Sequence, residues 1–330
     1  MSDSPVTRAS APPTVPTAQR PLRHRIQRIL QPWLLQLALI ILCTIMLFPI
    51  FSTVMLSLKT EADVRRRPPV LIPCDMPDGG WRLDACRFAL DGYRRVFLPR
   101  ENPTALLGWE ITGRIFRLYM PNTLLYATAS ALLTTLLASM AAYAFSRYRF
   151  RGRQSLLVGV LALSGVPLLT MLLALYRMNI VMRNSLAGYD ERAFMIAAYV
   201  GFELPFAIWL IKGFFDTIPR ELEEAARMDG ASRLGALGRI VAPLAAPGMA
   251  SILLLSYVNV WNEFIANYLL MTRADYRGVM YGVYDYIAQA LTAYNALAAA
   301  CIIVMFPMIA VFLATRNVFL HSMVEGALKG

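Results

Sequence analysis

Charge is the scarcest commodity in this sequence. Asp, Glu, Lys and Arg make up 16% of its 330 residues, while 57% are hydrophobic and the mean hydropathy is +0.50. A soluble domain carries about 25% charged residues. The shortfall is what a lipid-facing surface requires, since one charge at the centre of a membrane helix costs roughly 2.5–3.5 kcal/mol on insertion scales. The composition excludes an ordinary water-soluble fold and indicates an integral membrane protein whose principal surroundings are lipid.

Lysine is nearly missing: Lys59, Lys212 and Lys329 are the whole complement. None follows a glycine, so no GxxxxGK[ST] loop exists to cradle phosphates. Histidine is confined to His24 and His321, near the two ends, which removes HExxH-type chemistry from the apolar runs. The cysteines show no CxxC…CxxC spacing for zinc. Cys43 and Cys301 lie in apolar runs as small packing residues, whereas Cys74 and Cys86 fall in a polar loop. These absences leave no candidate catalytic residue, no metal ligand set and no cofactor held by this chain. The net charge of +11 comes mainly from arginine. The arginines sit between apolar runs, where positive charge retains a loop in the cytoplasm, and nucleic acid is not an expected partner.

What is present is a series of spanning-length apolar runs. Residues 1–31 are a Ser/Pro/Ala/Thr-rich tail ending in Arg20, Arg23, Arg25 and Arg28, expected to be disordered and cytoplasmic. The first span occupies 32–57, its apolar run Trp33–Ser57 being too long for a signal-peptide core and lacking a cleavage site. A polar loop, 58–121, follows, rich in Pro and Gly. The core, 122–316, holds five further runs: Asn122–Ser146, Leu156–Met178, Ala193–Phe215, Met249–Met271 and Leu297–Thr315. A short tail, 317–330, closes the chain. Pro49, Pro167, Pro205 and Pro307 fall inside spans, a break that bundled membrane helices tolerate. The expected fold is therefore all-α, with six transmembrane helices.

Orientation follows the arginines. Arg147, Arg149, Arg151 and Arg153 mark one inner loop, and Arg220, Arg227, Arg233 and Arg239 another. The short outer loops hold only Arg177, Arg183, Arg192, Arg273 and Arg277. The long first loop is also basic, but loops near 60 residues cease to steer topology. Both termini are expected in the cytoplasm.

The most informative stretch, 217–247, lies between the fourth and fifth spans. Pro219 suits the start of a helix, Glu221, Glu223 and Glu224 suit its positive end, and Gly230 suits a left-handed stop. Ser232 can cap a second helix, Arg233–Val241, closed off by Pro243 and Pro247. Taken alone, this is a helical hairpin that could simply link two spans. Its residues say more. Glu224-Ala225-Ala226, Gly230, Ile240 and Pro243 resemble the EAA loop of ABC-importer permeases in every spacing, with Ala242 where Leu is usual and Asp229 just before the glycine.

The resemblance extends over most of Pro32–Gly330 and points to the MalG-like, carbohydrate-importing branch. Ala141–Arg153, Leu204–Trp209, Gly213–Phe215, Trp261–Phe264 and Gly326–Gly330 are similar to that branch's motifs. The resemblance implies the type I importer permease fold with its EAA coupling-helix loop, in a bacterial inner membrane. It implies assembly with a second, MalF-like permease, two copies of a MalK-like ATPase that bind ATP and Mg, and an extracytoplasmic sugar-binding protein. The EAA residues would dock on the ATPase.

Polar groups inside the spans supply a second candidate site. Asn259, Asn262 and Glu263 would share a face of a continuous fifth helix, flanked by Tyr257 and Trp261, a set suited to sugar hydroxyls and apolar sugar faces. The same groups could instead hold helices together. Glu203 is a second intramembrane acid, so a proton-coupled secondary transporter using Glu203 or Glu263 is the rival function. Cys74 and Cys86 could close a disulfide if their loop faces an oxidising compartment.

Overall fold

In the computed structural model the described residues are 22–67, 72–73, 86–97, 114–287 and 293–327, with side chains described between 33 and 315. Every regular element among them is helical. The chain divides into two compact units, Met1–Ser52 and Thr53–Gly330. The first contains the larger part of helix α1 (Leu22–Ser57), an apolar helix exposed from Trp33 to Phe51.

Within the second unit come α2 (Glu61–Arg65) and α3 (Asp91–Phe97), both inside the loop read as 58–121. The second span opens seven residues earlier than Asn122, with a π-helical turn at Ile115–Tyr119 that runs into α4 (Met120–Arg147). Helices α5 (Arg153–Leu163) and α6 (Leu168–Ser185) correspond to the third span, but they meet at 85° and do not form one rod. Pro167 is the cause: it lacks an N–H and sits at φ −59°, ψ 129°, outside the helical region. Helix α7 (Glu191–Asp216) absorbs Pro205 internally. Its N-cap, Asp190, accepts from the Arg192 N–H at 2.9 Å; burial opposes the carboxylate, but the Arg192 bonds outweigh it and hold the group below its usual range.

The hairpin follows as α8 (Arg220–Met228), α9 (Arg233–Ala236), a π turn (Leu237–Val241) and α10 (Ala242–Leu244). The second arm therefore passes Pro243, which takes an early-turn position where no N–H is needed. It bends by 80° into α11 (Ala246–Asn262). The expected continuous helix Met249–Met271 is not formed: α11 stops at Asn262, and α12 (Ile265–Leu270) begins after a break. Helix α13 (Val279–Ile287) precedes α14 (Tyr294–Ala327), which outruns the expected end at Thr315. Among the described residues, four helices are long and apolar enough to cross a membrane, and counting each bent pair as one span gives six.

Two apolar clusters stack along the helices. One gathers Tyr126, Met195, Tyr199, Trp261 and Leu270; the other gathers Ala142, Phe145, Ile211, Phe215, Val241 and Ile252. Helix α4 runs through both and packs on α7 and α11. Its buried face is small and hydroxylic (Ala127, Ser130, Ala131, Thr134, Ala138, Ala142), which lets backbones approach closely. Leu132, Leu133, Leu136, Leu137 and Met140 remain exposed on α4, as a lipid-facing side requires. At Gly248 the fit is so close that a Cβ would lie 2.3 Å from the Phe214 ring.

Candidate functional site

The hairpin is defined first by its bend. Gly230 takes φ +90°, which a β-branched residue cannot do cheaply. The Ala231 N–H reaches back to the Ala226 carbonyl (3.0 Å), while those of Asp229 and Gly230 bond Ala225 (3.0 Å) and Arg227 (3.1 Å). The long Ala231 bond across a left-handed glycine is a Schellman-type stop. Ser232 then accepts from the Gly235 N–H at 3.1 Å and starts the second arm, as its sequence position implied. Pro219 occupies the N-cap of α8 itself, with Glu221 and Glu223 in the first turn.

The residues of the EAA pattern separate by exposure. Glu224, Ala225, Asp229, Gly230 and Pro243 are exposed, while Ala226 and Ile240 are half-buried. Around the bend stand large apolar side chains that the sequence reading did not single out: Met228 is 88% exposed, Leu234 69% and Leu222 47%. Two of them flank the glycine turn, a position where solvent-facing polar residues are the norm, and that was the available signal.

The root of the hairpin was also missed. Glu223, read only as one of three acids at a helix start, is buried. Its Oε2 lies 3.0 Å from Arg147 Nε, and its Oε1 accepts from the Tyr143 hydroxyl. Arg147 Nη2 also donates to the Ile218 carbonyl (3.1 Å), and Arg220 Nη2 donates to the carbonyl of Ser146 (3.0 Å). Ser146 Oγ donates to Asp216 (2.7 Å), which is paired with Lys212. A polar cavity of about 450 Å³ lined by Arg147, Arg153, Asp216 and Arg220 opens beside this joint.

Within the fifth-span set, Asn259 and Glu263 both bond side chains of α7, whereas Asn262 bonds its own helix. Helix α11 ends at Asn262, and Glu263 directly after it (φ −72°, ψ 125°) redirects the chain and caps α12: Oε1 accepts from the Ala266 N–H (2.6 Å) and Oε2 from the Asn267 N–H (3.1 Å). The Tyr199 hydroxyl donates to Oε2 at 3.0 Å. Asn259 donates to Glu203 (3.2 Å), as does Ser256 (3.4 Å). Asn262 is exposed, its amide donating to the Val258 carbonyl of its own helix (2.8 Å). Tyr257 and Trp261 stack at 5.7 Å in the core, 4% and 1% exposed. The end of α12 and the connection after it are held from several sides: Asn179 donates to the Leu270 carbonyl (2.6 Å), Glu191 accepts from the Thr272 and Arg273 N–H groups (3.2 and 3.3 Å), and Asn267 accepts from the Gly278 N–H (2.6 Å). Irregular backbone at such depth requires this degree of satisfaction. Of the cysteine pair, Cys86 is disulfide-bonded and Cys74 lies outside the described residues; Cys43 and Cys301 are free.

A hairpin rooted on a helical bundle matches what comparison with known proteins finds. The family model for the binding-protein-dependent transport system inner membrane component matches residues 134–324, which contain the hairpin and the break. The chain belongs to this family. Relatives include the maltodextrin transport system permease MdxG of Bacillus subtilis, 30% identical over 74% of this chain and 81% of that protein. The sulfoquinovosyl glycerol transport system permease SmoH of Agrobacterium fabrum is 28% identical over 86% and 89% of the two chains. Among solved structures, a bacterial ABC transporter for import of the acidic polysaccharide alginate superposes with a TM-score of 0.66, covering 91% of this chain and 99% of that one at 21% identity. The fold is thus that of an ABC-importer permease, and the family places the chain in the inner membrane as a multi-pass subunit.

Proposed function

We propose that this chain forms half of a translocation pathway for a sugar or oligosaccharide, driven by a separate ATPase that docks on the 217–247 hairpin. The observation that carries the reading is the exposed apolar set Leu222, Met228 and Leu234 around a bend fixed by Gly230. Exposed Met and Leu on a rigid support are what a partner groove accepts. The names of the relatives, transporters of maltodextrin and of sulfoquinovosyl glycerol, support a glycan-type cargo. A second related permease would complete the pathway, two ATPase copies would bind ATP and Mg, and an extracytoplasmic binding protein would deliver the cargo. The alginate transporter is described in complex with a periplasmic protein loaded with alginate pentasaccharide, which supports that last partner.

This arrangement sets the hairpin and both termini in the cytoplasm and residues 58–121 outside. The disulfide at Cys86 supports the placement, since such bonds persist in oxidising compartments, and Cys74 is the proposed partner. Proton coupling through Glu203 or Glu263 would leave the hairpin without a task. Reconstitution with the binding protein and ATPase tests the reading: uptake should require ATP, fall with vanadate and survive a protonophore. Uptake abolished by the protonophore and indifferent to vanadate would reverse the choice.

A further inference from the structure

The ion pair at the root of the hairpin has a counterpart at the far end of the same helix. Helix α4 is continuous over 28 residues, about 42 Å at 1.5 Å per residue. At its C-terminal end Arg147 and Tyr143 hold Glu223 of α8, and the Ser146 carbonyl receives Arg220. At its N-terminal end Asn122 donates to the carbonyls of Asp275 (2.7 Å) and Arg277 (3.0 Å), Tyr126 donates to that of Tyr276 (2.6 Å), and Thr123 accepts from the Val279 N–H (2.7 Å). That second set holds the connection between α12 and α13. Between the two ends the buried face of α4 is made of small residues, Ala127 to Ala142, with no large side chain interlocked along it.

We infer that α4 is the rod that relays hairpin movement to the α12–α13 connection, with Arg147, Tyr143 and Glu223 as its driven joint; the inference rests on the proposed coupling role of the hairpin. The joint is suited to the task because its two charged side chains are only 8% and 11% exposed. A buried ion pair contributes little net stability but fixes geometry, since shifting one partner strands the other without water. The other contacts at the joint are hydrogen bonds: Arg147 and Arg220 to the carbonyls of Ile218 and Ser146, and the Ser146 hydroxyl to Asp216. Arg147, Tyr143 and Glu223 are accordingly positioning residues, acting through the hairpin and not on cargo.

The test uses the complete complex, with the second permease, ATPase and binding protein, in proteoliposomes. Arg147→Gln and Glu223→Gln should retain ATPase co-purification yet lower cargo moved per ATP about tenfold. Arg147→Lys should recover much of that ratio, and Tyr143→Phe, which keeps the ring and deletes the bond, should lower it two- to threefold. Tyr126→Phe, at the other end, should lower the same ratio, and combining it with Tyr143→Phe should cost less than the product of the single losses. An unchanged ratio in Arg147→Gln and Tyr143→Phe would overturn the joint. Multiplicative losses in the double variant would overturn the relay. A wild-type complex that moves no cargo with ATP would instead overturn the function beneath it.

Discussion

Two buried or half-buried glutamates, Glu223 and Glu263, show how differently one residue type can be used. Glu223 meets a guanidinium from a helix more than seventy positions away, so it specifies where the hairpin sits on the bundle. Glu263 meets two N–H groups within the next four residues and one tyrosine, so it specifies the path of its own backbone. The first is a charge countered by a charge and is a joint between elements. The second is a charge countered by dipoles and is a local frame. A joint can transmit displacement, whereas a frame resists it.

The comparison breaks most visibly at the frame. Glu263→Leu strands the Ala266 and Asn267 N–H groups and the Tyr199 hydroxyl, each costing about 1–3 kcal/mol when buried without a partner. The expected outcome is loss of assembled complex in detergent extracts, before any transport assay becomes informative. Full assembly with selective loss of uptake would reassign Glu263 to the pathway. Next in size, Gly230→Val forces a β-branched residue to φ +90°, a strain of order 1–3 kcal/mol. Insertion and yield should be normal, while binding-protein-stimulated ATP hydrolysis should uncouple from uptake.

A smaller effect sharpens the docking side of the comparison. Met228→Asp alters a side chain that is 88% exposed, so thermal stability should shift by less than about 0.5 kcal/mol, yet recovery of the ATPase on co-purification should drop severalfold. Equal recovery would remove Met228 from the docking face. The smallest effect is expected at Asn262→Ala, where only a bond to the same helix is lost. Assembly should be unchanged, and a rise in the cargo concentration giving half-maximal uptake would mark Asn262 as pathway-lining.

The hairpin was largely legible because its determinants are local. Pro219, Gly230 and Ser232 act on residues within one turn, and Gly230 also belongs to the spacing of Glu224-Ala225-Ala226, Ile240 and Pro243 that carries the family resemblance. The Arg147–Glu223 pair was not legible, since the separation in sequence gives no sign that an arginine at a span's end and an acid at a helix's start will meet. The break in the fifth-span helix was not legible for a related reason. A helical period extends through Glu263-Phe264 in the sequence, where neither Gly nor Pro announces a stop, and the Tyr199 hydroxyl that meets Glu263 at the break comes from another helix. At Pro167 the signal was present, but a tolerated proline and an 85° corner look alike in sequence.

The seat of α3 has a consequence in time. Gly92 lies so close to α14 that an added Cβ would stand 2.5 Å from the Asn295 carbonyl oxygen, and Val96 is buried beside it. The Asn295 amide also donates to the Lys59 carbonyl (3.3 Å), and Tyr93 shares a hydrogen bond with Ser57 (2.9 Å). A ribosome delivers residues 57–97 long before residue 295. Helix α3 packs early on Phe116 through Phe97, but its α14 side stays uncovered until that helix has been made and inserted. Closure of α3 on α14 is a late event, and a chain truncated before α14 would present the Gly92 face of α3 to solvent and to proteases.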